Sequence, residues 1–221
     1  MNNRTFPFLR TAQDAARRVL VLTGLACCVA LLAACASVRP PATSNHAVAP
    51  QAYNEAIDIS GRFSAQFEQN GRPQSWSGGF NWAQTPQSTL VTLLSPLGQT
   101  VASIVVTPFG ATLTQTDKEP RSAPNVDALV QDALGWPLPI SNLRNWMQAR
   151  VSDQRGQLIV ATPQMTDAID TSDGWRLRYL SWQDESEPGM QNVPKRIDME
   201  RDTAQAGRVQ MRLVISTWQT R

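Results

Sequence analysis

From Ile57 onward the apolar residues of this chain recur at every second position. Ile57, Ile59, Gly61, Phe63, Ala65 and Phe67 alternate with polar neighbours. A period of two places them all on one face of a strand, so that face must meet a core while the other meets water. Asn70-Gly71 follows, a dipeptide that suits a two-residue hairpin turn, and Trp76, Gly78, Phe80 and Trp82 repeat the alternation on the way back. Thr85-Pro86-Gln87 turns the chain into a strand from Leu90 to Leu94. Ser95-Pro96-Leu97-Gly98 joins that strand to another over residues 101–107, and Pro108-Phe109-Gly110 leads to a further one over 111–116. Short strands with turn residues between them predict an antiparallel meander.

The period then changes. Val126, Leu129, Val130, Ala133 and Leu134 form one apolar stripe at helical spacing, with Asn125 placed to cap the start and Gly135 the end. Trp136-Pro137-Leu138-Pro139-Ile140 breaks the helix, because proline cannot continue it. A second short helix is expected with Leu143, Trp146 and Met147 on one side and Ser141 as its cap. A helical turn is also expected at 52–56. After Arg150 the period-two pattern resumes around Leu158, Leu177, Ile197 and Val209 to Ile215. The predicted class is mainly β with α: an antiparallel sheet interrupted by a two-helix insert. A curled sheet with helices on one face makes a natural container.

The N-terminus fixes the compartment. Arg4, Arg10, Arg17 and Arg18 precede an apolar run from Val19 to Leu32, too short for a bilayer span of about 20 residues. It has the form of a secretory signal. Leu32-Ala33-Ala34-Cys35 resembles the lipobox of bacterial lipoproteins, which implies cleavage before Cys35 and lipidation of that residue. The expected organisation is a signal peptide over 1–34, a lipidated N-terminus and Pro-rich flexible tether over 35–50, and one domain over 51–221. Cys27, Cys28 and Cys35 are the three cysteines, so the body of the mature chain has no disulfide, thiolate nucleophile or cysteine metal site. Ala36 follows the cysteine where an aspartate would favour inner-membrane retention, so the outer membrane, on its periplasmic face, is the expected destination.

Enzymatic chemistry finds little support. The sole histidine, His46, falls in the tether, where it cannot serve a preorganised triad or metal site. Asp184, Glu185 and Glu187 read as a solvated loop, and Asp198 and Glu200 as an exposed strand face. No phosphate-cradling glycine loop or dinucleotide fingerprint occurs, and no basic stripe suggests nucleic acid. The expectation is a non-enzyme without cofactor or metal.

The segments "LLSPLGQT", "VTPFGATLT" and "ALGWPLPISNLRNWM" together resemble the LolB family of outer-membrane lipoproteins, from about Ile57 to the C-terminus and most densely between Leu93 and Met147. The resemblance implies a half-open antiparallel barrel covered by short helices and enclosing an apolar cavity. It implies that the chain accepts client lipoproteins from a LolA-like periplasmic carrier, shelters their acyl chains, and delivers them to the inner leaflet of the outer membrane, acting as a monomer. It also gives Leu97, at the tip of its turn, the role of membrane insertion. Candidates for the cavity wall are Phe63, Phe80, Trp82, Leu134, Trp136, Leu143, Trp146 and Met147, with Trp136 and Trp146 favoured because they lie on the insert. Plain core packing accounts for the same side chains equally well. Arg144 reads as a positional ion pair or a head-group contact. The alternative function is a structural lipoprotein scaffolding an outer-membrane assembly, which predicts a filled core and no task for Leu97.

Overall fold

The computed structural model describes residues 52–184, 186 and 189–221. The expected signal peptide over 1–34, Cys35, the tether over 35–50 with His46, and Glu185 and Glu187 lie outside the described residues. Val48–Arg221 forms one compact unit. Every buried apolar side chain among the described residues falls between Ile57 and Trp218, so this unit holds a core of its own.

Ten strands make one open antiparallel sheet. Its members are β1 (Ile57–Gln69), β2 (Arg72–Gln84), β3 (Thr89–Leu94), β4 (Thr100–Thr107), β5 (Gly110–Gln115), β6 (Arg121–Ala123), β9 (Ile169–Asp170), β10 (Arg176–Trp182), β11 (Pro194–Thr203) and β12 (Gly207–Thr220). Their order is β6-β5-β4-β3-β2-β1-β12-β11-β10-β9, so the two edges, β6 and β9, do not meet. Between β6 and β9 come α1 (Val126–Leu134), α2 (Ile140–Trp146) and a separate hairpin of β7 (Arg150–Ser152) and β8 (Leu158–Val160). α1 lies against β5 and β6, and α2 against β7.

Alternation decides which face is covered. Phe63, Ala65 and Phe67 of β1, Phe80 and Trp82 of β2, Val91 and Leu93 of β3, and Val209, Met211, Leu213 and Ile215 of β12 are all buried. On β12 the period slips between Ile215 and Trp218, both buried, because β1 and β12 shift register between Ser60 and Gly61. One extra residue at such a bulge returns Trp218 to the inner face. The β1–β2 hairpin turns on Asn70 (φ 54°) and Gly71 (φ 70°), the pair of positive φ angles that a two-residue turn of this hand requires. Gly61 serves packing instead. A Cβ there would collide with the Val214 carbonyl oxygen and stand 2.8 Å from the Phe80 ring, so glycine lets β12 and Phe80 close on β1.

Two sequence expectations change. Residues 52–56 form no helical turn, because the Asn54 and Glu55 carbonyls accept hydrogen bonds from side-chain amides rather than from amides one turn onward. Ser141 does not cap α2 but lies inside it. Pro139 is the N-cap residue, and Asp127 of α1 accepts from the Ser141 amide (3.0 Å) and hydroxyl. Strands β6, β7 and β9 were not read from sequence, since two or three residues carry no detectable period.

On the outer face of β11, burial alone would raise the Asp198 pKa, but hydrogen bonds from Arg196 and Arg212 outweigh it and hold the carboxyl below its ordinary 3.8. A depressed carboxylate stabilises the fold above its unfolded pKa, and that contribution is lost as pH falls through the folded value. Asp198→Asn is therefore expected to lower the urea midpoint at pH 7, with the gap to wild type closing below about pH 4. Gly61→Ala is expected to destabilise the domain by about 1–3 kcal/mol through overpacking, read as a drop in the same midpoint with unchanged denaturant slope.

Candidate functional site

A pocket opens between the middle of the sheet and the helical insert. From the sheet come Phe63, Phe80, Trp82, Val91, Leu93, Met211 and Leu213; from the insert come Leu138, Ile140, Leu143 and Met147. All eleven side chains are apolar. The sheet residues converge through register: Phe80 pairs with Leu93, Trp82 with Val91, and Phe63 with Leu213. The cavity volume is only about 20 Å³, room for roughly one water molecule. Larger depressions of about 320, 360 and 260 Å³ are open and lined mainly by polar side chains. Size favours those, but chemistry favours the small apolar one for an acyl chain, which has nothing to offer an arginine or a carboxylate.

Five of the eight expected wall residues, Phe63, Phe80, Trp82, Leu143 and Met147, line this pocket. Leu134, Trp136 and Trp146 do not. Trp136 stacks on Phe67 (centroids 5.2 Å) and meets Trp76 edge-on (6.3 Å), which anchors the link between the helices to β1 and β2. Trp146 meets Trp175 edge-on (6.2 Å), and its carbonyl accepts from the Tyr179 hydroxyl at 2.8 Å. Burial raises the Tyr179 pKa far above its ordinary value, so the hydroxyl stays a neutral donor. Leu134 is partly buried at the end of α1. Large aromatics on a covering helix were expected to face the hollow. Trp136 instead pins the link between the helices and Trp146 the end of α2, while the smaller Leu138, Ile140, Leu143 and Met147 line the pocket.

The insert is held shut by polar contacts at its rim. Arg144 donates to the Tyr53 hydroxyl (2.8 Å), the Glu55 carboxylate (3.1 Å) and the Thr85 carbonyl (3.3 Å). Gln148 accepts from the Asn54 amide (2.8 Å) and donates to the Asn54 carbonyl (3.1 Å). Gln84, fully buried at the end of β2, donates to the Tyr53 hydroxyl and accepts from the Trp82 indole. Residues 53–55 are thus a strap tying α2 to the sheet. Of the two sequence readings for Arg144, the structure shows the positional ion pair.

The Leu97 turn stands at the opposite end of the sheet from that strap. Gly98 N–H donates to the Ser95 carbonyl (2.9 Å), and Ser95 N–H donates to the Gln99 carbonyl (2.8 Å). Gln99 N–H also donates to the Ser95 hydroxyl. With Pro96 setting one φ and Gly98 at φ 82°, the turn is stiff and presents Leu97 at 89% exposure. Phe109 is exposed further still, at 97%, on the β4–β5 turn; sequence reading treated it only as a turn residue. No group of three or more metal-ligating side chains occurs among the described residues. Asp198 and Glu200 do share the outer face, where the two arginines keep Asp198 ionised rather than ready to donate a proton.

The family described as "Outer membrane lipoprotein LolB" matches residues 55–218. The chain belongs to that family. The outer-membrane lipoprotein LolB of Cupriavidus metallidurans is 40% identical over 190 residues, covering 83% of this chain and 89% of the relative. The corresponding protein of Ralstonia nicotianae is 37% identical over 202 residues, covering 90% and 94%. Among solved structures, a LolA superfamily protein from Nitrosomonas europaea aligns with a TM-score of 0.44 at 9% identity, over 78% of this chain and 89% of that one. As in the LolB resemblance read from sequence, the sheet is antiparallel, open and capped by two short helices.

Because α2 is held to the strap largely by hydrogen bonds worth about 1 kcal/mol each, Arg144→Ala is expected to speed amide exchange in residues 143–147 roughly tenfold. Exchange in the centre of β1 should not change, and mass-spectrometric hydrogen exchange reads both.

Proposed function

We propose that this chain accepts lipoproteins from a periplasmic carrier, holds their acyl chains between the sheet and α2, and releases them into the outer membrane with Leu97 in contact with lipid. The observation that carries the reading is a pocket with eleven apolar walls and no polar one, placed under a helix that Arg144 and Gln148 tie to the strap at its rim. An apolar core filled for stability alone has no need of a detachable cover. Lipidation of Cys35 would keep the domain at the membrane it serves, since two or more acyl chains anchor stably.

Energetics favour a shielded handover. Each methylene moved into water costs about 0.8 kcal/mol, and a triacylated client has roughly forty, so unshielded transit is closed to it. The pocket at about 20 Å³ holds no chain of that size, so α2 and the link before it must move outward on loading. The rim contacts and the packing of Trp136 and Trp146 oppose this, whereas each methylene received adds to the gain. The client thereby opens its own site. Leu97, once inserted, contributes about 1.5–3 kcal/mol, enough to orient the domain but not to hold it alone.

The nearly filled pocket favours a second reading, a structural lipoprotein whose core is simply packed. The two part in a transfer assay using the chain from Val48 with a carrier loaded with a labelled lipoprotein. Wild type and Leu97→Glu are expected to take up client equally, and only wild type to pass it to liposomes. Absence of uptake by both would leave the structural reading in front.

A further inference from the structure

The 44 residues from Pro73 to Thr116 contain no Asp, Glu, Lys, Arg or His, in a chain that is 17% charged overall. This run is β2 after its first residue, all of β3, β4 and β5, and the turns between them. Four adjacent strands of the ten are therefore free of charge on both faces, save for Arg72 at the start of β2. For the inner face that is ordinary. The outer face is different, because none of its side chains on these strands is buried and nothing among the described residues covers it. It presents Ser77, Asn81, Thr92 and Ser103 beside an apolar pair, Leu90 and Val105, which are cross-strand partners and each 41% exposed.

The two most exposed large apolar side chains of the domain, Leu97 and Phe109, sit on the turns at opposite ends of β4. Eight residues separate those turns, about 26 Å along the strand. The other end of the sheet contrasts sharply: the outer face of β10, β11 and β12 holds Arg176, Arg178, Arg196, Asp198, Glu200 and Arg212. A soluble surface ordinarily mixes both signs of charge, and an uncharged sheet face invites aggregation. Charge depletion over exposed β structure marks a contact surface.

We propose that the outer face of β3 to β5 is a bilayer contact surface, with Leu97 and Phe109 both inserted and β4 lying along the membrane rather than standing on the Leu97 tip. A lipid interface fits better than a protein surface for two reasons. Large apolar side chains, each almost fully exposed, stand on the turns at both ends of β4. Between them the face offers small hydroxyls and an amide, groups that share hydrogen bonds with water and head groups without a fixed complement. The absence of lysine and arginine separates this contact from attraction to anionic lipid, so binding should depend little on salt. The proposal rests on the membrane role given to Leu97 above and extends it to a face.

The unit from Val48 contains no cysteine, so single cysteines can be introduced cleanly. Leu97→Cys, Val105→Cys, Phe109→Cys and, as a control, Arg178→Cys would each be labelled with an environment-sensitive nitrobenzoxadiazole dye. They would then be mixed with vesicles of phosphatidylethanolamine and phosphatidylglycerol. Expected are a blue shift and quenching by spin-labelled lipid at 97, 105 and 109, none at 178, and little change between 0.1 and 0.5 M salt. Unlabelled Phe109→Glu should weaken vesicle binding about tenfold, and Leu97→Glu should do the same. A response at 97 alone overturns the lying orientation and leaves the Leu97 role standing; a response at none overturns both. A wild-type dimer in sedimentation that Phe109→Glu turns into monomer would assign the face to a second copy and overturn the lipid reading.

Discussion

An open sheet with one apolar face must find a cover, and everything specific about this molecule follows from how little cover it has. Ten strands present Phe, Trp, Leu and Met from β1, β2, β3 and β12 toward one side. Two helices of nine and seven residues and the link between them cover the pocket side of these strands. Such small helices are marginal in isolation. They are positioned by aromatic anchors, Trp136 of the link on Phe67 and Trp146 at the end of α2 on Trp175, and by polar ties at the rim. Leu138, Ile140, Leu143 and Met147 of the insert face the sheet across the pocket. The cover is thus pinned by aromatics and tied by hydrogen bonds, with only about 20 Å³ left unfilled beneath it.

Much of this was legible in the sequence because it depends on period and on turn chemistry. The alternation from Ile57, the Asn70-Gly71 turn, and the helix from Asn125 to Gly135 are local rules, and local rules survive folding. Asn125 does accept from the Ala128 amide, and Gly135 does close α1 at φ 82°. What failed depended on distant partners. Nothing near Trp136 in sequence says that Phe67 will lie beneath it. Nothing near Ser141 says that Asp127 will reach its amide, and the strap at 53–55 gains its shape from Gln84 and Gln148 far along the chain. Of the candidate wall residues, those on strands were placed by parity alone. On the insert parity gives no help, and size proved a poor guide to direction.

Phe109 and the uncharged run beside it make a different case, since the signal was in plain view. Periodicity asks which residues are apolar and so passes over a stretch defined by what it lacks. A strand face of serine, threonine and asparagine looks like an ordinary polar exterior until its charges are counted. That distinction has physical content. Hydroxyls and amides lose little when water gives way to a lipid head-group region, whereas an ammonium or carboxylate held away from water loses a great deal.

The same accounting explains why the sheet divides as it does. In the part from β9 to β12, guanidinium and carboxylate groups pair on the outer face: Arg176 with Asp170 and Arg208 with Asp202 across strands, and Asp198 with Arg196 of its own strand and Arg212 of the next. Exposed pairs of this kind add little stability each, but they keep that face in water and discourage strand-to-strand association. The part from β2 to β5 has no such guard, and its far edge is blunted only by the three-residue β6. A fold that protected itself uniformly would carry charge on both parts. Placing it on one leaves the other free to meet an uncharged surface, and the pocket lies beneath the strands where the two parts join.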